Sequence, residues 1–423
     1  MGNQNTSHAL WSAQAHMPSV TGNQIEIVGG DGAYVTTAQG DRLLDATAAL
    51  WYANVGHGRR ELADAAHAQM LRIETYHVFG RFVNDAAVAL ADRLAGFAPF
   101  SDARVILTSG GSDSVDTACK LARRHWQLEG KTSKKIILSR QEAYHGLHAF
   151  GTSVAGIQTN RDGYGTESLI PETARVDNSD IDLVRAEIER IGGENIAAIL
   201  FEPVMGTGGV IPPVPGYLEG IQQLAKEHEI LTIVDEVITG FGRTGTMFAS
   251  ERYGIAADMM VFAKGITSGY APLGGLYVAP RIWNRFFAGD DAPIFRHGVT
   301  YSGHATACAV AQANLDILEN EGLVARAGQL ELVLDRALDR ARGHELVSDV
   351  RIGGLMGGIQ FGNSVDAVAV ADYALDHGVI LRILQGHTAQ ISPPFVVAED
   401  DIDRIVDITL AGAEASVRTR VLA

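Results

Sequence analysis

From about Glu61 onward, short apolar runs alternate with stretches in which apolar residues recur at helical spacing. The runs at 104–107, 135–138, 196–201, 230–234, 259–263 and 275–278 are, apart from Arg104, Lys135 and Thr232, apolar on consecutive positions rather than on alternate ones. Such runs predict strands covered on both faces, so the pattern implies an α/β fold with a mostly parallel, doubly wound sheet. Before Glu61 the chain is polar and irregular, with Gly22, Gly29, Gly30 and Gly32 punctuating short strand-like pieces such as 24–28. Beyond a helical pattern at 305–319 the character changes again. Leu330, Leu334 and Leu338 mark one helix face, 355–361 reads as a strand, and 366–377 reads as a helix that Gly378 stops. The expected organisation is therefore a segment at 1–60 contributing to a smaller domain, a large domain at 61–312, and a small α+β domain at 313–423. No Pro/Ser-rich linker separates them, so a broad shared interface is expected.

Charge narrows the class of partner. The 423 residues carry a formal net charge of −16, which disfavours nucleic acid and anionic membrane surfaces. The two cysteines, Cys119 and Cys308, lie in alanine-rich helical patterns and read as core thiols. Neither a secretory leader nor a run of spanning length is visible, so a cytoplasmic location is expected.

The candidate chemistry lies where the runs end. The run at 230–234 delivers Asp235 and Glu236, and the run at 259–263 delivers Lys264 followed by Gly265. Open α/β sheets bind ligands outside the carboxyl ends of their strands. A poorly solvated lysine there suits Schiff-base chemistry. A carboxylate and an amine arriving on separate strands suit a cofactor needing an anion at one end and an amine at the other; pyridoxal phosphate is one. Its phosphate requires a site, and Ser109-Gly110-Gly111-Ser112 between a strand and the helical pattern at 114–126 offers amides and a hydroxyl. The motifs of nucleotide loops and of the nucleophile elbow are absent. Tyr144 arrives near the same edge and can stack on a planar ring. His145 and His148 lack a third metal ligand and read as polar loop histidines. Trp51 and Tyr52 read as core aromatics.

Together the segments resemble the class III (ω-) aminotransferases, fold-type I pyridoxal phosphate enzymes, from about Leu44 to Asp401. The core of the resemblance is the segment from Ile233 to Gly245, with Phe262-Ala263-Lys264-Gly265 and Pro272-Leu273-Gly274-Gly275. Further matches are Tyr144-His145-Gly146, Glu202-Pro203-Val204-Met205-Gly206, the segment from His297 to His304, and Ser392-Pro393-Pro394.

The resemblance implies that Lys264 holds the cofactor as an internal aldimine and shuttles the substrate proton. It implies that Asp235 pairs with the pyridine nitrogen, that Tyr144 and Val237 sandwich the ring, and that Gly111 and Ser112 take the phosphate. His145 and Glu202 fall within the cofactor-binding motifs, and Thr300 matches a residue reaching the phosphate from the other subunit of a homodimer. At the phosphate turn the family's Ser-Gly-Ser-Glu-Ala-Asn is replaced here by 110–115, with the second glycine and the serine kept. Arg382 resembles the mobile arginine that binds a substrate carboxylate. Thr207 stands where glutamate-using relatives carry a glutamate that parks this arginine. Trp51, Tyr52 and Phe82 match walls of the donor pocket. The expected reaction moves an amino group from an amine or ω-amino acid to a keto acid, with pyruvate as the acceptor, by a ping-pong mechanism. Open alternatives are a 2-oxoglutarate-dependent aminotransferase, an aminomutase, a racemase or a decarboxylating transaminase of the same class, and an idle assembly protein of the same fold.

Overall fold

The computed structural model describes residues 9–165 and 169–422. The first eight residues of the segment read as 1–60, and Ala423, lie outside the described residues. Fifteen strands in three sheets are present among the described residues. The N-terminal strands β1 (Ile27–Asp31), β2 (Tyr34–Thr37) and β3 (Arg42–Asp45) form an antiparallel meander.

The central sheet contains β4 (Arg104–Thr108), β5 (Ile136–Arg140), β6 (Thr173–Val176), β7 (Ile196–Phe201), β8 (Leu231–Asp235), β9 (Met259–Phe262) and β10 (Gly274–Val278). Their spatial order is β4-β10-β9-β8-β7-β5-β6. All neighbouring pairs are parallel except those of β10, which runs antiparallel to both β4 and β9. The carboxyl ends of β4, β5, β7, β8 and β9 therefore share one edge. Every residue of β7, β8, β9 and β10 is buried, as the unbroken apolar runs require. The sheet is thus mostly parallel and doubly wound, with β10 as its reversed member.

The third sheet contains β11 (Val347–Ile352), β12 (Gly357–Phe361), β14 (Arg382–Leu384) and β15 (Thr388–Ile391), in the order β11-β12-β15-β14. The two-residue strand β13 (Val379–Ile380) instead pairs in parallel with β3, joining the two chain ends in one sheet. No described helix is long and apolar enough to cross a membrane.

Candidate active site

Five strand ends converge on one cavity. A volume of about 130 Å³ at the carboxyl edge of the central sheet is lined by Gly111 and Ser112 after β4, by Tyr144, His145 and Gly146 after β5, by Glu202 after β7, by Asp235 and Val237 at β8, and by Lys264 after β9. Positions separated by more than 150 residues are neighbours because parallel strands bring their ends to one level.

Lys264 occupies a one-turn 3-10 element, Lys264–Ile266, with a left-handed φ of 49°. That conformation is costly for a side-chain-bearing residue and recurs where function requires it. Loss of solvation lowers its amine from 10.5 to about 8, against the opposing pull of Asp235 and Glu202. No described residue forms a hydrogen bond or ion pair with Nζ, so the amine is available to react once it has lost its proton.

Asp235 is buried and held at both oxygens. Oδ1 accepts from Val237 N at 3.0 Å, and Oδ2 lies 2.7 Å from His145 Nδ1. His145 is therefore no polar loop histidine: it is 1% exposed, and its loop turns inward because the backbone amide of Tyr144 is tied to Glu202 Oε1 at 3.2 Å. Its Nε2 has no partner among the described residues. His148 is half exposed and faces Asp113 at 3.4 Å, as a loop histidine would. Glu202 also accepts from Gly206 N at 2.9 Å, and burial raises its pKa. Tyr144 is raised as well, mainly by burial.

At the opposite end, the 18-residue helix Gly111–Leu128 begins at the cavity, so its first amides and positive dipole end face it. Close approach fixes two glycines here. A Cβ at Gly274 would stand 2.7 Å from the backbone carbon of Gly110, and a Cβ at Gly146 would stand 2.4 Å from Ser112 Oγ. The turn is thus packed tightly enough that its amides and the Ser112 hydroxyl are presented in one arrangement.

The chain matches the family model "Aminotransferase class-III" over residues 17–411. It is 35% identical to an omega-aminotransferase of Caulobacter vibrioides over 89% of this chain and 90% of that one. It is 33% identical to a putrescine–pyruvate aminotransferase of Pseudomonas aeruginosa over 90% and 89%. An amine transaminase from an uncultivated Pseudomonas species, solved in a PLP-bound form, superposes with a TM-score of 0.91 at 32% identity, covering 98% of this chain and all of that one.

The chain belongs to the class-III aminotransferases.

The cofactor of this family is pyridoxal phosphate, and the cavity suits it. An amine without a partner, a buried carboxylate and a helix start lie around one space with an aromatic ring, Tyr144, in its wall. The remaining residues expected from the sequence lie in three places. Trp51 is 2% exposed, with its Nε1 donating to Ser392 Oγ at 3.1 Å, and Arg382 places its guanidinium 5.0 Å from the Trp51 ring. Tyr52 lines a second cavity with Asp45, His57 and Gly269, none of which lines the Lys264 cavity. The Thr207 carbonyl accepts from Gln385 Nε2 at 3.0 Å, which brings its loop beside the strand of Arg382. Phe82 is 50% exposed among Tyr76 and His77, and Thr300 is exposed; neither lines the Lys264 cavity of its own chain.

Sequence reasoning gave no role to Gln14, whose side chain bonds Tyr144, or to Ser392, which fixes Trp51. Gln14 lies in a stretch without periodicity, so no pattern could have marked it. Ser392 belongs to the Ser392-Pro393-Pro394 match, which points to no chemistry alone.

Proposed function

We propose that this aminotransferase moves an amino group from a primary amine or ω-amino acid to pyruvate in two half-reactions on one site. Pyridoxal phosphate, when bound, supplies a ring that stabilises the negative charge left when the donor carbon loses its proton. Lys264 Nζ would hold the cofactor and, once the donor amine has displaced it, would take up and give back the donor proton. Its lowered pKa suits the first task, since burial leaves more of the amine neutral and nucleophilic at a given pH. Asp235 keeps the pyridine nitrogen protonated, and His145 fixes the carboxylate's direction. Gly111, Ser112 and the helix start take the phosphate. Tyr144 and Val237 confine the ring, and Glu202 anchors the Tyr144 loop.

Thr300 and Phe82, exposed and away from their own lysine, act in the site of a second copy, so the working unit is a homodimer. Trp51, Tyr52 and Phe82 wall the donor pocket.

The observation that carries the choice of acceptor is Arg382. It stacks on Trp51, and no described carboxylate pairs with it. Thr207 offers no charge to hold it away. An arginine in that state is open to a small keto acid's carboxylate and can yield to an uncharged donor. The putrescine–pyruvate relative is consistent with this reading. With one amine donor, kcat/KM for pyruvate is expected to exceed that for 2-oxoglutarate by at least about tenfold, or ~1.4 kcal/mol. The reverse order overturns the assignment.

A further inference from the structure

In the turn that ends at Trp51 the backbone is under strain with no obvious local reward. Ala48, Ala49 and Trp51 have φ of 46°, 56° and 62°, although none is a glycine. The turn Ala48–Trp51 leaves helical geometry at Ala49 and Leu50. Such conformations persist only when the surroundings impose them.

The imposing group is Asp45, at the end of β3 and 2% exposed. Its Oδ1 accepts from Thr47 N at 3.0 Å and from the Thr47 hydroxyl at 2.9 Å. Its Oδ2 accepts from Ala49 N at 2.6 Å and lies 3.0 Å from His57 Nε2. Burial works against this charge, yet the bonds from His57, Thr47 and Ala49 outweigh it and hold the carboxyl below its ordinary value. His57 is itself anchored, because its backbone bridges Gly32 and its Cβ sits where a side chain on Gly30 would have to go. The β1–β2 hairpin is thus tied through His57 and Asp45 to the strained turn. At the far end of that turn Trp51 carries Arg382 on its ring and is pinned by Ser392.

We propose that the Asp45–His57 pair is a positioning device for the acceptor carboxylate site: it holds the Ala48–Trp51 turn in its strained form and so sets where Trp51 supports Arg382. Neither residue touches the Lys264 cavity, and both act through Trp51. The inference rests on the reading that Arg382 receives the acceptor's carboxylate.

The test compares KM for pyruvate with KM for a small aldehyde lacking a carboxylate, in holoenzyme of wild type, His57→Ala, His57→Gln and Arg382→Ala, with one uncharged amine donor. His57→Ala is expected to raise KM for pyruvate about tenfold while leaving KM for the aldehyde and the visible absorbance of the bound cofactor unchanged. His57→Gln, which keeps a donor toward Asp45, is expected to restore most of the loss. Equal effects on both acceptors, or no effect on either, overturn the proposal. Should His57→Ala not fold, Asp45→Asn is read by the same split. If Arg382→Ala leaves KM for pyruvate unchanged, the carboxylate reading itself fails. If Arg382→Ala raises it and His57→Ala does not, only the positioning role fails.

Discussion

His145 Nδ1 lies 2.7 Å from Asp235 Oδ2, with both side chains shielded from solvent. A carboxylate from the end of β8 is thereby held by a side chain from the loop after β5, two strands away in the sheet. The bond leaves Asp235 aimed at the cavity instead of relaxing into its own strand end.

Removing that hold has a measurable cost. Leaving a buried polar group without its partner costs about 1–3 kcal/mol, and more where the group is charged. His145→Ala is therefore expected to lower kcat/KM by about 10–100-fold while Lys264 still binds the cofactor. Asp235→Asn, which removes the charge itself, is expected to lower it further. Steady-state kinetics beside cofactor absorbance separate the two, and wild-type kinetics in His145→Ala would refute the role.

Lys264→Ala is expected to abolish turnover and the visible band of lysine-bound cofactor together. Retained turnover without the band would place the chemistry on another residue.

The Lys264 amine gives a pH signature in enzyme stripped of cofactor. Burial lowers it from 10.5 to about 8, and only the neutral amine attacks an aldehyde. Cofactor uptake is expected to accelerate as pH rises through about 8 and then level off. A rise centred near 10.5 would show that the amine is solvated. The sign for stability is the same: between about 8 and 10.5 the unfolded chain binds more protons at this group than the folded chain does. The group's penalty on folding is full below 8 and fades as pH climbs toward 10.5.

Gly274→Ala tests the phosphate turn. The added Cβ meets backbone at Gly110, which cannot swing aside as a side chain can. A loss of about 1–3 kcal/mol in stability is expected, together with weaker cofactor retention. Thermal melting with and without added pyridoxal phosphate reads both, and an unchanged melt in both conditions would mean the turn yields freely.

Much of this architecture was legible because buried parallel strands must be apolar at every position. The runs ending at Asp235 and Lys264 announced both the strands and the edge where they deliver polar groups. β6 escaped notice because Thr173–Val176 is an edge strand, mostly half-buried, and needs no apolar run. The reversal of β10 left no mark either, since a strand buried on both faces has the same composition in either direction. His145 was misread because its burial depends on Glu202 and Asp235, which are distant in sequence. The strained turn before Trp51 is invisible for the same reason, since alanines give no sign of left-handed backbone and Asp45 imposes it through contacts that only the fold creates.

The most direct test of the account follows the cofactor's visible band by stopped flow through the separate half-reactions. Holoenzyme mixed with a primary amine or ω-amino acid alone should lose the band, and pyruvate added afterwards should restore it within the turnover time, faster than 2-oxoglutarate does. A band that survives the donor, or that 2-oxoglutarate restores and pyruvate does not, would contradict the account.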